Sequence, residues 1–160
     1  MIIRPAKVAD SERISELWLD LVNYHRDLDA NMPTAAQDGH LRYAQRIRYS
    51  LNDLYQRVLV AEENGDLLGY ATGMIIDIVP EMFLEERAGL IGDIYVLPTQ
   101  RGKGVGTALM QVMKGWFNLR GVTHYELSVA STNQSGIRFW QEKMRGTPIM
   151  LRMRILLDEE

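Results

Sequence analysis

The stretch LIGDIYVLPTQRGKGVG, residues 90–106, determines the fold that we predict for this chain. Its first half is rich in β-branched and aromatic residues, which is typical of a buried strand, and Pro98 prevents the hydrogen-bond ladder from continuing. Apolar residues then recur at the spacing of one helix face: Ala108, Leu109, Val112, Met113, Trp116 and Phe117. The sequence therefore predicts a strand, a glycine loop and a helix, in that order.

The glycine loop has the features of a phosphate-binding site. Gly102, Gly104 and Gly106 alternate with other residues and leave the backbone open to a ligand. The first turn of a helix leaves about four N–H groups unpaired, and the helix dipole adds positive charge at the same end. Together with the cations Arg101 and Lys103, these groups predict a site for a phosphate or a pyrophosphate.

Two common phosphate loops do not fit this pattern. A nucleotide P-loop requires Ser or Thr after its lysine, whereas Gly104 follows Lys103. A dinucleotide fingerprint requires a third glycine where Thr107 or Leu109 stands, and too few residues follow for a dinucleotide fold, although Glu126 lies near the position of the ribose-binding acid. Both interpretations are therefore disfavoured.

The pattern that fits is R/Q-x-x-G-x-G/A, met by Arg101, Gly104 and Gly106 after a strand that ends in V-x-P. It resembles the pyrophosphate loop of the GNAT superfamily of N-acetyltransferases. A second segment, VASTNQSGIRFW at residues 129–140, resembles the family's V-x-x-x-N-x-x-A/S-x-x-F-Y segment. The two motifs stand in the family's order, and the second half of the chain is similar to the diamine acetyltransferase type.

The resemblance implies an α/β fold with a strongly twisted mixed sheet, helices on both faces and a splay between the two central parallel strands. It also implies acetyl-coenzyme A as cosubstrate, without a metal. The backbone of the central strand would pair with the pantetheine arm, and the loop amides would hold the pyrophosphate. Asn133 and Trp140 would face the arm. The implied cofactor-binding residues are Ile94, Tyr95, Val96, Arg101, Gly102, Lys103, Gly104, Val105, Gly106, Thr107, Asn133 and Trp140.

The proton donor to the leaving thiolate is one point where the chain departs from the family. Trp140 stands where the family often has a tyrosine next to the sulfur. Its indole N–H can donate a hydrogen bond but does not give up its proton at neutral pH. Water, the acceptor amine, Tyr95 or Tyr125 are the alternatives that the sequence leaves open.

The general base is the second departure. Diamine acetyltransferases of this superfamily carry a glutamate where Gly92 stands, and the next residue, Asp93, is our candidate catalytic base, acting through water. A carboxylate within a buried strand needs hydrogen-bonding partners, which fits either a catalytic role or a local ion pair. Glu126 has the same ambiguity and weaker positional support. His25, His40 and His124 are isolated and have no metal-ligand spacing.

Length and composition indicate a single soluble domain over residues 1–160, with 46% hydrophobic and 24% charged residues. We expect a cytoplasmic protein without membrane partners, because no apolar run approaches the ~20 residues of a membrane helix and the N-terminus lacks signal-peptide features. The absence of cysteine is compatible with a reducing compartment. The net charge of −3 argues against a nucleic-acid partner.

The first half of the chain matches the family in element order alone. A short strand at its start precedes a helix from Asp10 to about Tyr24. A second helix is expected to carry the apolar residues Leu41, Ala44, Ile47, Leu51 and Leu54. Asn64-Gly65 is then expected to form the turn of a β-hairpin.

In the second half, Gly121 is expected to end the helix after the glycine loop. A strand alternating at Tyr125, Leu127 and Val129 follows, and Asn133 opens a further helix whose shared face carries Ile137, Trp140, Gln141 and Met144. The chain is then expected to finish in one long strand, with Ile149, Leu151, Met153, Ile155 and Leu157 on one face. Pairing of this strand with a second copy would give a homodimer, which the sequence leaves open.

The predicted function is acetyl transfer from acetyl-coenzyme A to a primary amine. Acidic residues in two connections, 26–39 and 77–88, favour a small cationic acceptor such as a polyamine. The alternative is a non-catalytic coenzyme A-binding sensor or scaffold domain that keeps the phosphate loop and lacks the proton-transfer groups. A nucleotide-binding domain is a further rival, which tighter binding of ATP or NAD than of coenzyme A would favour.

Overall fold

The structure of the chain, a computed structural model, describes residues 1–157 and contains one five-stranded sheet in the order β1-β2-β3-β4-β5. The strands are β1 (Ile2–Pro5), β2 (Gln56–Glu63), β3 (Asp66–Asp77), β4 (Arg87–Val96) and β5 (Tyr125–Glu126). The helices are α1 (Ser11–Leu28), α2 (Gly39–Ser50), α3 (Val105–Leu119) and α4 (Gln134–Arg138), which continues into a π-helical turn (Phe139–Lys143). Neighbouring strands are antiparallel except β4 and β5, which are parallel. The predicted mixed sheet is confirmed.

The sheet has a separate apolar core on each face, because side chains alternate between the two faces of every strand. On one face, Met110, Met113 and Phe117 of α3 pack against the strands and are at most 2% exposed. On the other face, Ile14 and Leu17 of α1 lie against the sheet together with side chains of α2. Helices therefore cover both faces, as predicted.

Three predicted local features are confirmed. Asn64 and Gly65 have φ angles of 53° and 89° in the turn between β2 and β3, as a two-residue turn of type I′ requires. Gly121 follows α3 with a φ angle of 73° and ends the helix in a left-handed conformation. Asn133 caps α4, since its side-chain oxygen accepts a hydrogen bond from the Gly136 amide at 2.9 Å.

The apolar residues predicted for the second helix are not all on α2, and not all of them are buried. Leu41 and Leu54 are 57% and 72% exposed, and Leu54 lies beyond the end of the helix. The buried face instead includes Tyr43, which is 8% exposed and lies one turn before Ile47. An i, i+4 pair that includes an aromatic residue thus covers the sheet in place of the two leucines. The first helix is also longer than predicted and ends at Leu28 rather than Tyr24.

The predictions for the last part of the chain are also partly wrong. The strand at Tyr125 ends at Glu126 and does not reach Val129, because β5 diverges from β4 and loses its ladder partner. The expected helix face after Asn133 is interrupted where α4 becomes π-helical at Phe139. No strand forms between residues 147 and 157, because an alternating pattern forms a strand only where a neighbouring edge pairs with it.

Candidate active site

The glycine loop between β4 and α3 is open to a ligand. Gly102 and Gly104 have φ angles of 75° and 87°, in the left-handed region that favours glycine. A Cβ atom built on either residue would meet no atom within 4 Å. Gly106 differs, because a Cβ there would lie 3.4 Å from the Phe139 ring. The first two glycines therefore serve the loop conformation, and the third also lets α4 approach α3.

The start of α3 presents amide donors beside this open space. Gly104 is the N-cap residue, and the Ala108 N–H donates to its carbonyl at 2.9 Å. The amides of residues 105–107 precede this first helical bond and have no intrahelical acceptor. Lys103 adds a cation that contacts Gln100 Oε1 at 3.3 Å. Donors, helix dipole and cation together suit a diphosphate.

The side chain of Arg101 contacts both β4 and α1. Its guanidinium carbon is 4.6 Å from the centre of the Tyr24 ring and 5.5 Å from that of Tyr95, so both rings make cation–π contacts. Its Nε donates to the Val96 carbonyl at 3.0 Å. Arg101, which the sequence predicts to bind phosphate, therefore also connects α1 to the end of β4. Its hydrogen bond uses the carbonyl of Val96, a residue that the sequence predicts to pair with the pantetheine arm.

The predicted splay is present beside this end of β4. The parallel pair consists of Gly89 with Tyr125 and Leu90 with Glu126, and within residues 1–157 no later residue of β4 pairs with the chain after β5. The backbone of residues 94–96 consequently borders an opening. The opening lies where the family resemblance predicts a slot for the pantetheine arm.

Tyr24 and Asn133 lie across this opening. The Tyr24 hydroxyl is 3.1 Å from Ser135 Oγ and 3.4 Å from Asn133 Oδ1, so α1 contacts the start of α4. Asn133 is 9% exposed, and its oxygen is used in capping α4. Its side-chain amide group keeps its donor capacity, which is the part available to a ligand.

A β-bulge in β4 positions the candidate base. Ala71 of β3 pairs with Ile94 and Gly73 with Ile91, so Gly92 and Asp93 together lie opposite Thr72. The Asp93 N–H donates to Thr72 Oγ1 at 2.9 Å instead of to a ladder carbonyl. A Cβ atom on Gly92 would lie 2.8 Å from the same Oγ1. A glutamate at position 92 would therefore require Thr72 to move.

The bulge directs the Asp93 side chain toward α1 and α2. Asp93 Oδ2 accepts a hydrogen bond from the Tyr43 hydroxyl at 2.7 Å. The Tyr43 ring stacks on Trp18, with ring centres 4.8 Å apart and planes 10° from parallel. Burial, assisted by the negative charge of Asp93, raises the pKa of Tyr43 well above its ordinary value. Tyr43 consequently stays protonated and keeps Asp93 in one orientation.

Two further polar groups complete what we call the Asp93 cluster: Asp93, Tyr43, Thr72, Tyr70 and His25. Tyr70 is fully buried, and its hydroxyl has no hydrogen-bond partner among the described residues. Burial, with the neighbouring Tyr43 and Asp93, raises its pKa. Burial lowers the pKa of His25, and the charge of Asp93 acts on the ring in the opposite direction.

The other candidates for proton transfer lie outside the Asp93 cluster. Trp140 is 8% exposed and packs against Phe139 in the core beneath α3. Tyr125 stacks on Phe117 in the same core, and burial raises its pKa. Both are therefore on the opposite face of the sheet from Asp93. Tyr95 is on the Asp93 face, where burial raises its pKa, and Glu126 is half-buried in β5.

Sequence reasoning did not find three residues of this site. Tyr43 follows the same helix face as Ile47, and this spacing is the signal that could have identified it. His25 was set aside as isolated, and the tertiary structure brings it near Asp93. For Tyr24, no sequence signal indicates its contacts with Arg101 and Ser135. Within residues 1–157, no group of histidine and acidic side chains could hold a metal ion, and no helix is long and apolar enough to span a membrane.

Three solved structures resemble the fold. The mutant BH1408 protein from Bacillus halodurans aligns with a TM-score of 0.87 and 20% identity, over 98% of this chain and 99% of that one. The aminoglycoside antibiotic 6'-N-acetyltransferase AAC(6')-IG from Acinetobacter haemolyticus has a TM-score of 0.70 and 19% identity, over all of both chains (100% and 100%). AAC(6')-Iy, solved in complex with the bisubstrate analog CoA-S-monomethyl-acetylneamine, has a TM-score of 0.69 and 18% identity, over 99% of this chain and 97% of that one. At these identities the likeness shows the fold alone.

Sequence comparison identifies the family. L-2,4-diaminobutyric acid acetyltransferase from Nocardia farcinica is 28% identical over 100 residues, which cover 62% of this chain and 49% of the relative. The chain thus spans about half the length of the curated relative it matches. The profile described as "Acetyltransferase (GNAT) family" matches residues 18–146, which include the glycine loop, the bulge and the Asn133 segment. The chain therefore belongs to the acetyltransferase (GNAT) family.

Proposed function

We propose that this chain is an acetyl-coenzyme A dependent N-acetyltransferase whose acceptor is a small cationic primary amine such as a diamine or a polyamine. Family membership supports the reaction class. The curated relative is named for diaminobutyric acid, a small molecule with two amino groups, which supports the acceptor class. The observation that carries the proposal is the Asp93 carboxylate, which the β-bulge and Tyr43 hold in one orientation directly before residues 94–96, the part of β4 that borders the opening.

The described residues fit acetyl-coenzyme A. Amides of residues 102–107 and the cation of Lys103 would hold the diphosphate, and the free edge of β4 at residues 94–96 would guide the pantetheine arm. The Val96 carbonyl has a second lone pair beside the one that Arg101 uses, so it keeps acceptor capacity. The bound thioester supplies an activated acetyl group.

Asp93 has two tasks in this proposal. Its negative charge attracts the ammonium group of the acceptor, and its carboxylate takes the proton that the nitrogen must lose before it attacks, directly or through one water. The Tyr43 hydroxyl holds Oδ2 and leaves Oδ1 for the acceptor or the water. Removal of a general base of this kind slows a reaction by roughly 10²–10⁴-fold.

The test incubates the purified protein with acetyl-coenzyme A and a panel of amines. Turnover of each amine is measured as release of the coenzyme A thiol. The panel contains putrescine, spermidine, 2,4-diaminobutyrate, an aminoglycoside and a peptide with a free N-terminus. We expect the highest kcat/KM with the diamines and the polyamine, because each carries a second positive charge near the attacking nitrogen. Turnover of the peptide or the aminoglycoside without turnover of any small diamine or polyamine would contradict the acceptor class.

A non-catalytic coenzyme A sensor or scaffold is the second candidate. The burial of Trp140 and the stacking of Tyr125 on Phe117 favour it, because both side chains lie in the core beneath α3. Calorimetric titration distinguishes the candidates. Binding of coenzyme A without acetylation of any amine would favour the sensor, and absence of heat with both the free and the acetylated cofactor would contradict both.

A further inference from the structure

We propose that the acceptor is an α-amino acid whose side chain ends in a primary amine, with its carboxylate on Arg46 and its side-chain nitrogen at Asp93. This acceptor is a narrower choice within the amine class of the proposed function, on which it rests. The observation behind it is a cleft between α2 and the sheet, which we call the α2 cleft. The residues that line this cleft include Arg42, Arg46, Ser50, Asp53, Gln56 and Met74.

The α2 cleft lies beside the Asp93 cluster. Tyr70, Thr72 and Met74 are on the same face of β3, because side chains alternate along a strand, and Tyr70 belongs to the core beneath α1 and α2. Thr72 Oγ1 accepts the Asp93 N–H, and Met74 borders the cleft. Two such positions along one strand face are about 7 Å apart. An extended side chain as long as that of ornithine or lysine can therefore reach from the cleft to Asp93.

The size of the α2 cleft suits an amino acid. Its volume is about 560 Å³, which is within the range of roughly 300–1,000 Å³ for small-molecule sites. Such sites combine apolar walls with a few polar groups that fix the orientation of the ligand. Met74 supplies an apolar contact for the methylene groups of a side chain, and the polar groups lie at the α2 side.

A chain of hydrogen bonds holds one carboxylate at this cleft. Ser50 Oγ donates to Gln56 Oε1 at 2.7 Å, and Gln56 Nε2 donates to Asp53 Oδ2 at 2.8 Å. The Tyr55 N–H donates to Asp53 Oδ1 at 2.8 Å. Each carboxylate oxygen keeps a further lone pair. Asp53 is thus held in one orientation and can accept a hydrogen bond from an ammonium group.

Arg46 brings a positive charge to the same cleft. Two other arginines of α2, Arg42 and Arg48, each form an ion pair with an acidic side chain, whereas Arg46 has no carboxylate partner within residues 1–157. Burial raises the pKa of Tyr43, and the charge of Arg46, one turn further along α2, acts in the opposite direction. A guanidinium binds a carboxylate through two parallel N–H···O bonds. Arg46 is therefore suited to an anionic group of a ligand near the Asp93 cluster.

The two charged groups together complement the head of an α-amino acid. Its carboxylate would bind Arg46, and its α-ammonium group would bind Asp53. The side chain would then extend past Met74 to Asp93. A diamine or polyamine without a carboxylate would place an ammonium group near Arg46 and would leave the guanidinium without a partner. The carboxylate thus distinguishes the proposed acceptor from a simple diamine.

The reaction acetylates the side-chain nitrogen of this acceptor. The nitrogen loses one proton to Asp93 and forms a bond to the acetyl carbon, and the C–S bond of the thioester breaks with its electron pair going to sulfur. The nitrogen loses a second proton as the amide forms. One of the two protons ends on the coenzyme A sulfur, and the other is released to water. The α-nitrogen stays an ammonium group at Asp53 and is not acetylated.

The experiment compares two pairs of acceptors whose members differ only in a carboxylate: ornithine with putrescine, and lysine with cadaverine. We expect kcat/KM to be about 10–100-fold higher for each amino acid than for its diamine, because the amino acid adds a charge-assisted hydrogen-bonded pair with Arg46. Mass spectrometry of the products is expected to locate the acetyl group on the side-chain nitrogen. Arg46→Gln is expected to remove the preference by lowering kcat/KM for the amino acids alone.

The matched control is Arg48→Gln, which removes an arginine of the same helix that is paired with Glu12 and is expected to keep the preference. Arg46→Lys keeps the charge without the two parallel bonds, so its preference is expected to be intermediate. Circular dichroism verifies that the variants are folded. No preference within either pair, acetylation of the α-nitrogen, or a preference that Arg46→Gln leaves unchanged would overturn the proposal while the reaction class stands. Absence of turnover with all four acceptors and with spermidine would instead contradict the proposed function itself.

Discussion

The two faces of β4 differ in chemistry although they belong to one strand. Toward α3, Gly89 and Ile91 pack against apolar residues, and a Cβ atom on Gly89 would lie 2.5 Å from the Phe117 ring. Toward α1 and α2, Asp93 is hydrogen-bonded to Tyr43 and lies near His25. The face of β4 toward α3 is covered by apolar side chains, and the face toward α1 and α2 carries the charged Asp93 in a polar cluster.

The β-bulge explains how one strand supports both faces. Without an extra residue, Ile91 and Asp93 would point to the same face, because side chains alternate with a period of two. The additional residue opposite Thr72 shifts the alternation, so that Ile91 and Ile94 face α3 while Asp93 faces α1 and α2. The comparison predicts that substitutions toward α3 change stability, whereas substitutions in the Asp93 cluster change catalysis.

The largest expected effect is on catalysis. Asp93→Asn keeps the size of the side chain and an oxygen for Tyr43, but it removes the base. We expect kcat/KM with the best diamine or polyamine to fall roughly 10²–10⁴-fold at constant fold, measured across pH. Glu126→Gln is the matched control and is expected to keep its rate. An unchanged rate and pH profile for Asp93→Asn would eliminate Asp93 as the base.

The next effect is on stability. Gly89→Ala places a Cβ atom against the Phe117 ring, and this ring stacks on Tyr125 at 5.7 Å, so it has little room to move. We expect the free energy of unfolding, measured with urea, to fall by about 1–3 kcal/mol. Gly115→Ala in α3, where a Cβ would meet nothing within 4 Å, is the control and should gain about 0.5–1 kcal/mol. Equal values for the two variants would contradict the packing argument.

A smaller effect on catalysis is expected when the hydrogen bond from Tyr43 of α2 to Asp93 in the bulge is removed. Tyr43→Phe removes the hydroxyl that donates to Asp93 and keeps the ring that stacks on Trp18. We expect kcat/KM to fall about tenfold, equivalent to ~1.4 kcal/mol, which is close to the lower end of the range of about 1.5–3 kcal/mol for a hydrogen bond to a charged group. Tyr49→Phe, at a residue that is 69% exposed on the same helix, is expected to change nothing. A normal rate for Tyr43→Phe would show that Asp93 needs no positioning by Tyr43.

The smallest effect is the pH dependence of stability at His25. Burial lowers the pKa of His25 in the folded state below its ordinary 6.5, so the unfolded state takes up the proton more readily. The contribution of His25 is therefore complete above pH 6.5 and is lost as the pH falls toward the lowered value. We expect urea midpoints to drop less on acidification in His25→Gln than in the unmodified protein. The same replacement at His124, outside the cluster, is the control, and an identical loss in both variants would disprove the assignment.

The parts of the site that could be predicted are those in which a short stretch of chain contains the whole cause. Gly102 and Gly104 adopt positive φ angles because a tight loop before a helix demands them, and Asn133 caps its own helix three residues on. The Tyr43 contact with Asp93 joins residues 50 positions apart and leaves no trace in either neighbourhood. The bulge likewise depends on the register with β3, which local pattern does not specify.

The amino-acid sequence by itself determined the order of the elements as far as α4, the glycine loop and the family, because periodicity and backbone permissiveness are local properties. Tertiary structure alone decided which face of β4 carries Asp93, which tyrosine holds it, and where residues 147–157 run. Those outcomes depend on strand register and on which edges find partners. Register and partners are properties of the whole sheet rather than of any single stretch of chain.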